Sequence, residues 1–594
     1  MAQTGKSNEF QVLVGGHPLA DKVEALLVSA LVEDNLHTPD VFQLTFTDQA
    51  RTVLKDGGFE IGVEVTVKVI SKDYPSGVVL IDGEVTTLEA EYDNGSFTIV
   101  RGLDMSHRLF AGRGTYVYKN VSYADVVKTV IGRTKVKIGT VDATQPVHDL
   151  VTQANMSDWQ FLTGLAAEVG FNMGCNAGKF NFTKPPDSAK GPKPGSTRSA
   201  SPLALVLGQN LLRFRATVSS IEQVPSVQVR GWDVKKKEAV IGKADAATVS
   251  AQIGVTPAEL ASKMNAKPFK SVHTPLQEQK EVENVAKALA NQIASSFAEM
   301  EGLALGDPNL QAGSLVSLGL VGKPFDGKYT LTSSRHTYNH DDGYRVFFTV
   351  SGQQERSLLG MMSGGSSSSN GVGTPGQAIY GVVTGLVVNN KDPDNLGRVK
   401  VKLPWLDDKY ESWWARVAFH GAGKDRGMVI LPEVEDEVLI AFEHGDSRRP
   451  YVLGGLWNGK DKPQLGNAGD LTSDGKVNRR GFVSAAGHKI VFLDGPKKGV
   501  LIATKDNKFR VSLNETKKTI RIVSDGKIEM EAKQDIKITT DANISMDVKG
   551  NAQVKVMGDA KVEATKNLQL KGTMGVKIES PAIVEIKGSM IKLN

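Results

Sequence analysis

The C-terminal end of the chain carries an apolar pattern that restarts every eight residues. Every eighth residue from Ile520 is isoleucine, alanine, leucine or valine, nine times in succession, and the residues two positions later are also all apolar. The residue between each pair is polar, as Glu529 is between Ile528 and Met530. Because side chains of a strand point alternately to opposite faces, each octad is predicted to be a very short strand followed by a turn. Residues 520–591 are called the octad array below.

An eight-residue unit is too short to enclose its own apolar side chains. Burying each of them stabilises by about 1.5–3 kcal/mol, but only against a partner surface. Three identical chains wound together supply that surface, each giving one face of a prism with a dry interior and paired strand edges. The pattern therefore predicts an intertwined triple-stranded β-helix in a homotrimer, with a plain antiparallel meander as the alternative. The predicted core residues are Ile520, Ile522, Ile528, Met530, Ile536, Ile538, Ile544, Met546, Val554, Val562, Leu568, Leu570, Val576, Ile578, Val584 and Ile586.

Length and composition indicate a multidomain, turn-rich β protein. The 594 residues exceed what one core serves, so about two to four domains are expected. Glycine is frequent, at 61 residues, and aromatic residues make up only 6%. The net charge of +5 is spread along the chain, which indicates solvated surface rather than a nucleic-acid patch. The only cysteine, Cys175, excludes a disulfide framework and is interpreted as a structural thiol.

The start of the chain and its linker set the expected organisation. The first residues, MAQTGKSNEFQ, lack the apolar segment of a secretion signal, and no long apolar stretch predicts a membrane span. Residues 363–376, SGGSSSSNGVGTPG, have the composition of a flexible linker. They separate residues 1–362, which are predicted to be mostly β, from a small five-stranded barrel of the OB type at 377–460. A connector at 461–487 and a needle at 488–594 complete the predicted order.

Three helices are predicted in the N-terminal region. The first begins after Ser122 and ends at Gly132, and the second begins after Ser157, with Gln160 completing a capping box. The third spans roughly 278–301, where one face is apolar. That face is interpreted as core packing, with a seam against another subunit as the alternative.

Three further stretches of the sequence resemble a known protein family. VRGLDMSHRLFAGRGTYVYKNVSYADVV, GVVTGLVVNNKDPDNLGRVKVKLPW and LPEVEDEVLIAFEHGDSRRPYVLGGLWNG, followed by the octads, resemble a VgrG-type spike protein, the fused baseplate hub and central spike of contractile injection systems and myophage-like tails. The resemblance implies a mainly β fold: an N-terminal hub of two β-barrel modules with inserted helices, an OB-fold barrel and the needle.

The implied function is mechanical. The trimer would nucleate the inner tube, contact baseplate proteins, carry a PAAR-type tip protein and puncture the target envelope, with transient membrane contact, during sheath contraction that helps deliver effectors. Met590, Ile591 and Leu593 are the candidates for the tip contact. Assembly in the bacterial cytoplasm without a signal peptide, followed by release or secretion in a tail-like particle, is expected. The preferred setting is an extracellular phage-tail-like system, and the alternative is a type VI secretion or prophage spike with cell-wall hydrolase activity.

Sequence patterns typical of catalysis or metal binding are not found. DPDNLG, at 392–397, lacks the ligands of a calcium loop and is interpreted as a turn. Glu433, Glu435 and Glu437 are predicted to share one side of a solvated strand, with a metal or acid–base site as the less favoured reading. Trp405, Trp413 and Trp414 are interpreted as packing residues rather than a base-stacking surface. We therefore expect no enzyme activity, no cofactor or metal and no nucleic-acid partner. Only about 30 residues lie between OB domain and needle, too few for a lysozyme domain.

Overall fold

The structure is a computed structural model that describes residues 8–93, 95–197, 201–272, 275–352, 378–465 and 471–593. The chain divides into two compact units, Met1–Pro463 and Gln464–Asn594, and each is described by itself. The predicted linker at 363–376 lies outside the described residues. The prediction of a mainly β protein is confirmed, while the homotrimer remains a prediction.

The N-terminal region, residues 8–352, is built mainly from short strands. They are β1 (Asn8–Val14), β2 (His17–Pro18), β3 (Leu27–Asn35), β4 (Val41–Thr47), β5 (Glu64–Ser71), β6 (Val78–Glu91), β7 (Phe97–Asp104), β8 (Gly114–Val121), β9 (Lys137–Val141), β10 (His148–Met156), β11 (Asn172–Asn176), β12 (Lys179–Thr183), β13 (Ala204–Val206), β14 (Leu211–Val218), β15 (Ser226–Asp233), β16 (Glu238–Asp245), β17 (Ala251–Ile253), β18 (Phe269–Ser271), β19 (Ala298–Leu305), β20 (Leu315–Gly319), β21 (Gly327–Thr330), β22 (Ser333–Asn339) and β23 (Gly343–Val350).

One long sheet organises this region. Its eleven strands follow the order β14-β19-β23-β22-β3-β4-β7-β6-β5-β1-β2. Strand β5 illustrates why these residues form strands of one sheet. Val65, Val67 and Val69 are buried at alternate positions, as a strand with one face on the core requires. A four-stranded sheet, β13-β20-β21-β17, contributes residues such as Val316 and Tyr329 to the same apolar core. The two sheets therefore enclose one core between them.

Six α-helices lie among the described residues of the N-terminal region: α1 (Asp21–Glu24), α2 (Val53–Gly57), α3 (Tyr123–Gly132), α4 (Asp158–Val169), α5 (Pro257–Lys263) and α6 (Gln279–Ser295). The predicted caps of α3 and α4 are confirmed, since Ser122 and Ser157 each form a capping box with the residue three positions on. Helices α3 and α4 pack together with β8 to β12 around a second apolar core.

The third predicted helix ends earlier than expected. Helix α6 stops at Ser295, and β19 begins at Ala298, so Met300 belongs to a strand rather than to the helix. The correction has a simple cause: a short apolar run fits both periods, and Met300 is also buried by strand alternation. Val282 and Leu289 on α6 are buried with Val227 of β15 in a third core. The helix face is therefore packed inside the chain.

The OB prediction is confirmed. Strands β24 (Val382–Asn389), β25 (Lys400–Lys402), β26 (Arg416–Val417), β27 (Glu437–Phe442) and β28 (Pro450–Gly455) form one sheet in the order β25-β24-β27-β28-β26. The two edges of that sheet are joined by reciprocal backbone hydrogen bonds between Val399 and Ala415, at 3.0 and 2.7 Å. This bridge closes the sheet into a barrel around buried Val387, Val438 and Ile440. Residues 378–460 are called the OB domain below.

The second unit begins with a two-stranded ribbon, β29 (Thr472–Ser473) and β30 (Lys476–Val477). A five-stranded antiparallel meander follows: β31 (Arg479–Val483), β32 (Lys489–Asp494), β33 (Lys498–Ala503), β34 (Arg510–Asn514) and β35 (Thr519–Val523). Among the described residues that come after β35, from 524 to 593, the structure has no further strand.

Candidate functional site

The octad array is extended and bends at a fixed interval. Bends lie at residues 525–526, 533–534, 541–542, 549–550, 557–558, 565–566, 573–574 and 581–582, which is one bend every eight residues. The apolar pairs fall between the bends. The period read from the amino-acid sequence is therefore also the period of the backbone.

The sixteen predicted core side chains are all exposed in the single chain. Their exposed fractions run from 49% at Val584 to 89% at Val554. In the described residues from 524 to 593, no backbone N–H donates to a backbone carbonyl of the chain. An extended backbone with unpaired polar groups and a continuous row of exposed aliphatic side chains is the surface that a strand partner covers. Burial of these residues between chains stays a prediction.

Charged side chains lie on one face of the array. Lys527 contacts Glu529, and the pairs Lys561–Glu563, Lys577–Glu579 and Glu585–Lys587 repeat the arrangement. Residues two positions apart in an extended chain share a face, so the residue between the apolar pair points away from that pair's face. These exposed pairs contribute about 1 kcal/mol or less each. They lie on the face opposite the apolar pairs, which is the face predicted to point outward.

A third position of the octad, which the alternation of the apolar pairs alone did not indicate, also avoids charge. Four residues after the first apolar residue of each octad, the side chain is small or β-branched. The nine residues are Ser524, Ala532, Thr540, Val548, Val556, Ala564, Gly572, Ser580 and Gly588. By alternation, this position shares a face with the apolar pair. The absence of charge at this position is visible when the octads are aligned. It adds a third residue per octad to the face that is predicted to point inward.

The antiparallel-meander alternative applies to the residues up to 523, which include the start of the array. Strands β31 to β35 pair in sequence order, and Ile520 and Ile522 of the first octad lie in β35, opposite Leu513 and Val511. Within the range 488–594 that the sequence assigns to the needle, the structure thus has two kinds of backbone. Residues up to 523 pair within the chain, and the later octads do not.

The candidate tip residues are exposed. The side chains of Met590, Ile591 and Leu593 are 74%, 53% and 91% exposed, and they follow the last bend of the array. Their contact with a tip protein stays a prediction.

In the OB domain, DPDNLG forms a turn organised by Asp392. Its carboxylate accepts hydrogen bonds from the backbone N–H of Leu396 and from the Arg398 guanidinium, at 2.8 and 2.6 Å. Burial alone would raise the pKa of Asp392, but the bonds from Arg398 and from backbone N–H groups outweigh it and lower the pKa to about 2. The carboxylate is therefore committed to holding the turn between β24 and β25.

The three glutamates of EVEDEV do not share a strand face, which corrects the prediction. Strand β27 begins only at Glu437, and Glu435 has a left-handed backbone with φ of 77°. Asp436 accepts a hydrogen bond from the backbone N–H of Glu433 at 2.8 Å and closes a turn there. The turn interrupts the alternation on which the prediction depended.

The tryptophans of the OB domain make packing and hydrogen-bonding contacts. Trp405 donates from Nε1 to the Thr384 carbonyl oxygen at 3.0 Å. The Lys400 ammonium lies 5.1 and 5.2 Å from the ring centroids of Trp413 and Trp414. The rings of Trp413 and Trp414 thus make cation–π contacts with a lysine of their own domain.

The cysteine and the potential metal ligands of the described residues form no reactive site. Cys175 is buried, and burial raises the pKa of its thiol, so the thiolate that a nucleophile needs is disfavoured. The described ranges hold no grouping of three His, Cys, Asp or Glu side chains suited to a metal ion. Likewise, none of the helices described is long and apolar enough to cross a membrane.

Two family models match the chain. The type VI secretion system/phage-baseplate injector OB domain matches residues 383–457, the range of β24 to β28. The Alg8 N-terminal domain matches residues 58–340. The first match covers the five-stranded barrel described above.

Curated relatives are type VI secretion system spike proteins. VgrG1c of Pseudomonas aeruginosa is 29% identical over 136 residues, 22% of this chain and 19% of that protein. VgrG3 of Vibrio cholerae is 42% identical over 67 residues, 10% of this chain and 6% of that protein. The matches thus span about a fifth or less of these relatives.

A solved structure shares the fold over most of the chain. A chain of the Francisella PdpA–VgrG complex in its half-lidded form matches 87% of this chain and 88% of its own length, with a TM-score of 0.51 and 8% identity. The resemblance to VgrG-type spike proteins is thereby confirmed.

Proposed function

We propose that this chain is a structural subunit of the central spike of a contractile injection machine and acts as a trimer without enzymatic activity. The octad array carries the proposal. It presents an uninterrupted row of exposed aliphatic side chains and, from residue 524 onward, an unpaired extended backbone that bends once per octad. Two further copies of the same chain would cover that row on three equivalent faces.

The proposed trimer suits a puncturing element mechanically. Each chain would hydrogen-bond to its neighbours along the array and bury its aliphatic side chains at the axis, so the three chains could not separate one by one. The charged pairs would remain outside, where they keep the shaft soluble. A stiff shaft of this kind transmits the thrust of a contracting sheath to its tip.

The partners follow from the same proposal. The N-terminal region would nucleate the inner tube and contact baseplate proteins, and Met590, Ile591 and Leu593 would hold a PAAR-type tip protein. Effector cargo would travel with the spike, and the target membrane would be contacted only in passing. Cytoplasmic assembly and release in a tail-like particle remain part of the proposal.

We keep an extracellular phage-tail-like system as the preferred setting, because the Ser/Gly-rich segment at 363–376 favours it. Type VI secretion is the alternative, and it is the setting named for the curated relatives.

Mass in solution tests the proposal. Light scattering coupled to size exclusion should give three times the 63.8 kDa of the chain, and the species should persist in mild denaturant. A stable monomer or dimer would contradict it. Incubation of the purified trimer with dye-labelled cell wall should release no dye, and hydrolysis would refute the non-enzymatic part.

A further inference from the structure

A turn of the OB domain inserts a buried charge into the N-terminal region. Arg448 lies between β27 and β28, and its side chain is 12% exposed. Its Nη2 donates to Glu168 Oε1 on α4 at 3.0 Å, and its Nη1 donates to the Tyr123 hydroxyl oxygen on α3 at 3.2 Å. It also donates to both carboxylate oxygens of Asp446 in its own turn. One guanidinium thus joins groups 280 residues apart in the chain.

The partners of Arg448 are as buried as the arginine itself. The side chains of Glu168 and Asp446 are 5% and 1% exposed, and the Tyr123 hydroxyl donates to Glu168 Oε2. Burial alone would lower the pKa of Arg448, but the negative charges of Asp446 and Glu168 outweigh it and raise the pKa. The arginine is therefore always charged. Withdrawing it would leave the buried carboxylate of Glu168 without its cation, which is strongly unfavourable.

The next residue, Arg449, makes a similar but longer contact with a carboxylate of the N-terminal region. Arg449 Nη2 lies 3.9 Å from Glu281 Oε2 on α6, and His148 Nδ1 lies 3.4 Å from Glu281 Oε1. Burial would raise the pKa of Glu281, but His148 and Arg449 outweigh it and lower the pKa to about 2. Two consecutive arginines of one turn therefore meet carboxylates on two different helices.

The other connections between the OB domain and the N-terminal region are weaker. The covalent one runs through residues 353–377, which lie outside the described residues. Lys119 Nζ lies 3.1 Å from Glu411 Oε1, but both side chains are exposed, at 46% and 37%. Exposed pairs of this kind contribute little. Val117 adds a partly buried apolar contact with the OB core.

We propose that Arg448 is the anchor that fixes the OB domain onto the N-terminal region of its own chain, with Glu168 as its receptor. The anchor makes the OB domain and the N-terminal region behave as one body. This inference does not depend on the proposed function, because it concerns a contact within one chain.

Glu411 provides the readout. Its carboxylate lies 3.1 Å from Lys119 in the N-terminal region and 3.1 Å from Lys400 in the OB domain. A zero-length carbodiimide cross-link, quantified by mass spectrometry on the full chain, therefore reports docking through Lys119 and OB integrity through Lys400. Because breaking a buried ion pair is strongly unfavourable, Arg448→Met should lower the Lys119 cross-link about tenfold. The Lys400 cross-link, which competes for the same carboxylate, should persist at an equal or higher yield.

Two further variants complete the test. Glu168→Gln, which acts from the other side of the contact and keeps the side-chain shape, should also lower the Lys119 cross-link selectively. The control is Arg416→Met, which removes an exposed arginine of the same domain and should change neither cross-link. If the Lys119 cross-link survives in Arg448→Met, the anchor is refuted. Loss of both cross-links would refute it too, because Arg448 would then act within the OB fold through Asp446.

Discussion

A single carboxylate placed in the octad array separates the inward face from the outward face. Val554 is a predicted core residue near the middle of the array, and it is 89% exposed in the single chain. Gln553 precedes it and is predicted to point outward. Val554→Asp and Gln553→Asp therefore introduce the same side chain one residue apart, with opposite expected positions in a trimer.

The expected cost of Val554→Asp is large. Each chain loses about 1.5–2 kcal/mol of apolar burial, or roughly 5 kcal/mol per trimer. Three carboxylates about 6 Å apart repel by about 3 kcal/mol per pair at an effective dielectric constant near 20. The total exceeds roughly 10 kcal/mol, which is comparable to the whole stability of many domains. Gln553→Asp should cost about 0.5 kcal/mol or less, as solvated surface changes usually do.

Light scattering at matched concentration is the assay. At pH 7, Val554→Asp should yield no trimer, while Gln553→Asp should yield as much as the unmodified chain. Repulsion among the carboxylates raises their pKa in the assembled state, so the assembly defect should lessen as the pH falls towards 4. A normal trimer from Val554→Asp, or loss of trimer from Gln553→Asp instead, would show that the inward face is assigned wrongly.

Other predictions concern individual domains. Asp392→Asn should destabilise the OB domain by about 2 kcal/mol at pH 7, judged by urea unfolding. Because the folded pKa of Asp392 is about 2, this difference should be complete above about pH 4 and vanish as the pH falls through 2. Burial lowers the pKa of His336 to about 3, so the N-terminal region should lose stability as the pH falls below about 6.5, and His336→Gln should flatten that slope. Ser157→Ala should cost about 1 kcal/mol by removing the cap of α4, and an unchanged melting temperature would contradict that role.

Features that depend on neighbouring residues were predictable from the sequence. The caps of α3 and α4 are local hydrogen bonds, and Ser157 with Gln160 specifies one of them within four residues. The strands of the long sheet follow from alternation, as in β5. The eight-residue period of the array is visible in both the sequence and the bends of the backbone. In each case the information needed lies within a few residues.

Features that depend on distant contacts were not predictable in the same way. GDSRRP has the composition of a surface turn, and only the fold shows that Arg448 reaches Glu168. The end of α6 is decided by pairing of β19 with β14 and β23, which overrides a continuing apolar spacing. The left-handed backbone at Glu435 is likewise set by the turn around it. A single sequence carries the pattern of such residues but not their partners.

The regular bends of the array also restrict how its length can change. Removing or adding one residue would exchange the two faces of every following octad, because the side-chain period is two. Removing two, four or six residues would preserve the faces but, in the proposed trimer, would move every later bend away from the matching bends of the other two chains. Only the removal or addition of whole octads preserves both the facing of the side chains and the positions of the bends. The length of the proposed shaft can therefore change only in steps of eight residues. Variants shortened or lengthened by whole octads should still assemble, and variants of intermediate length should not.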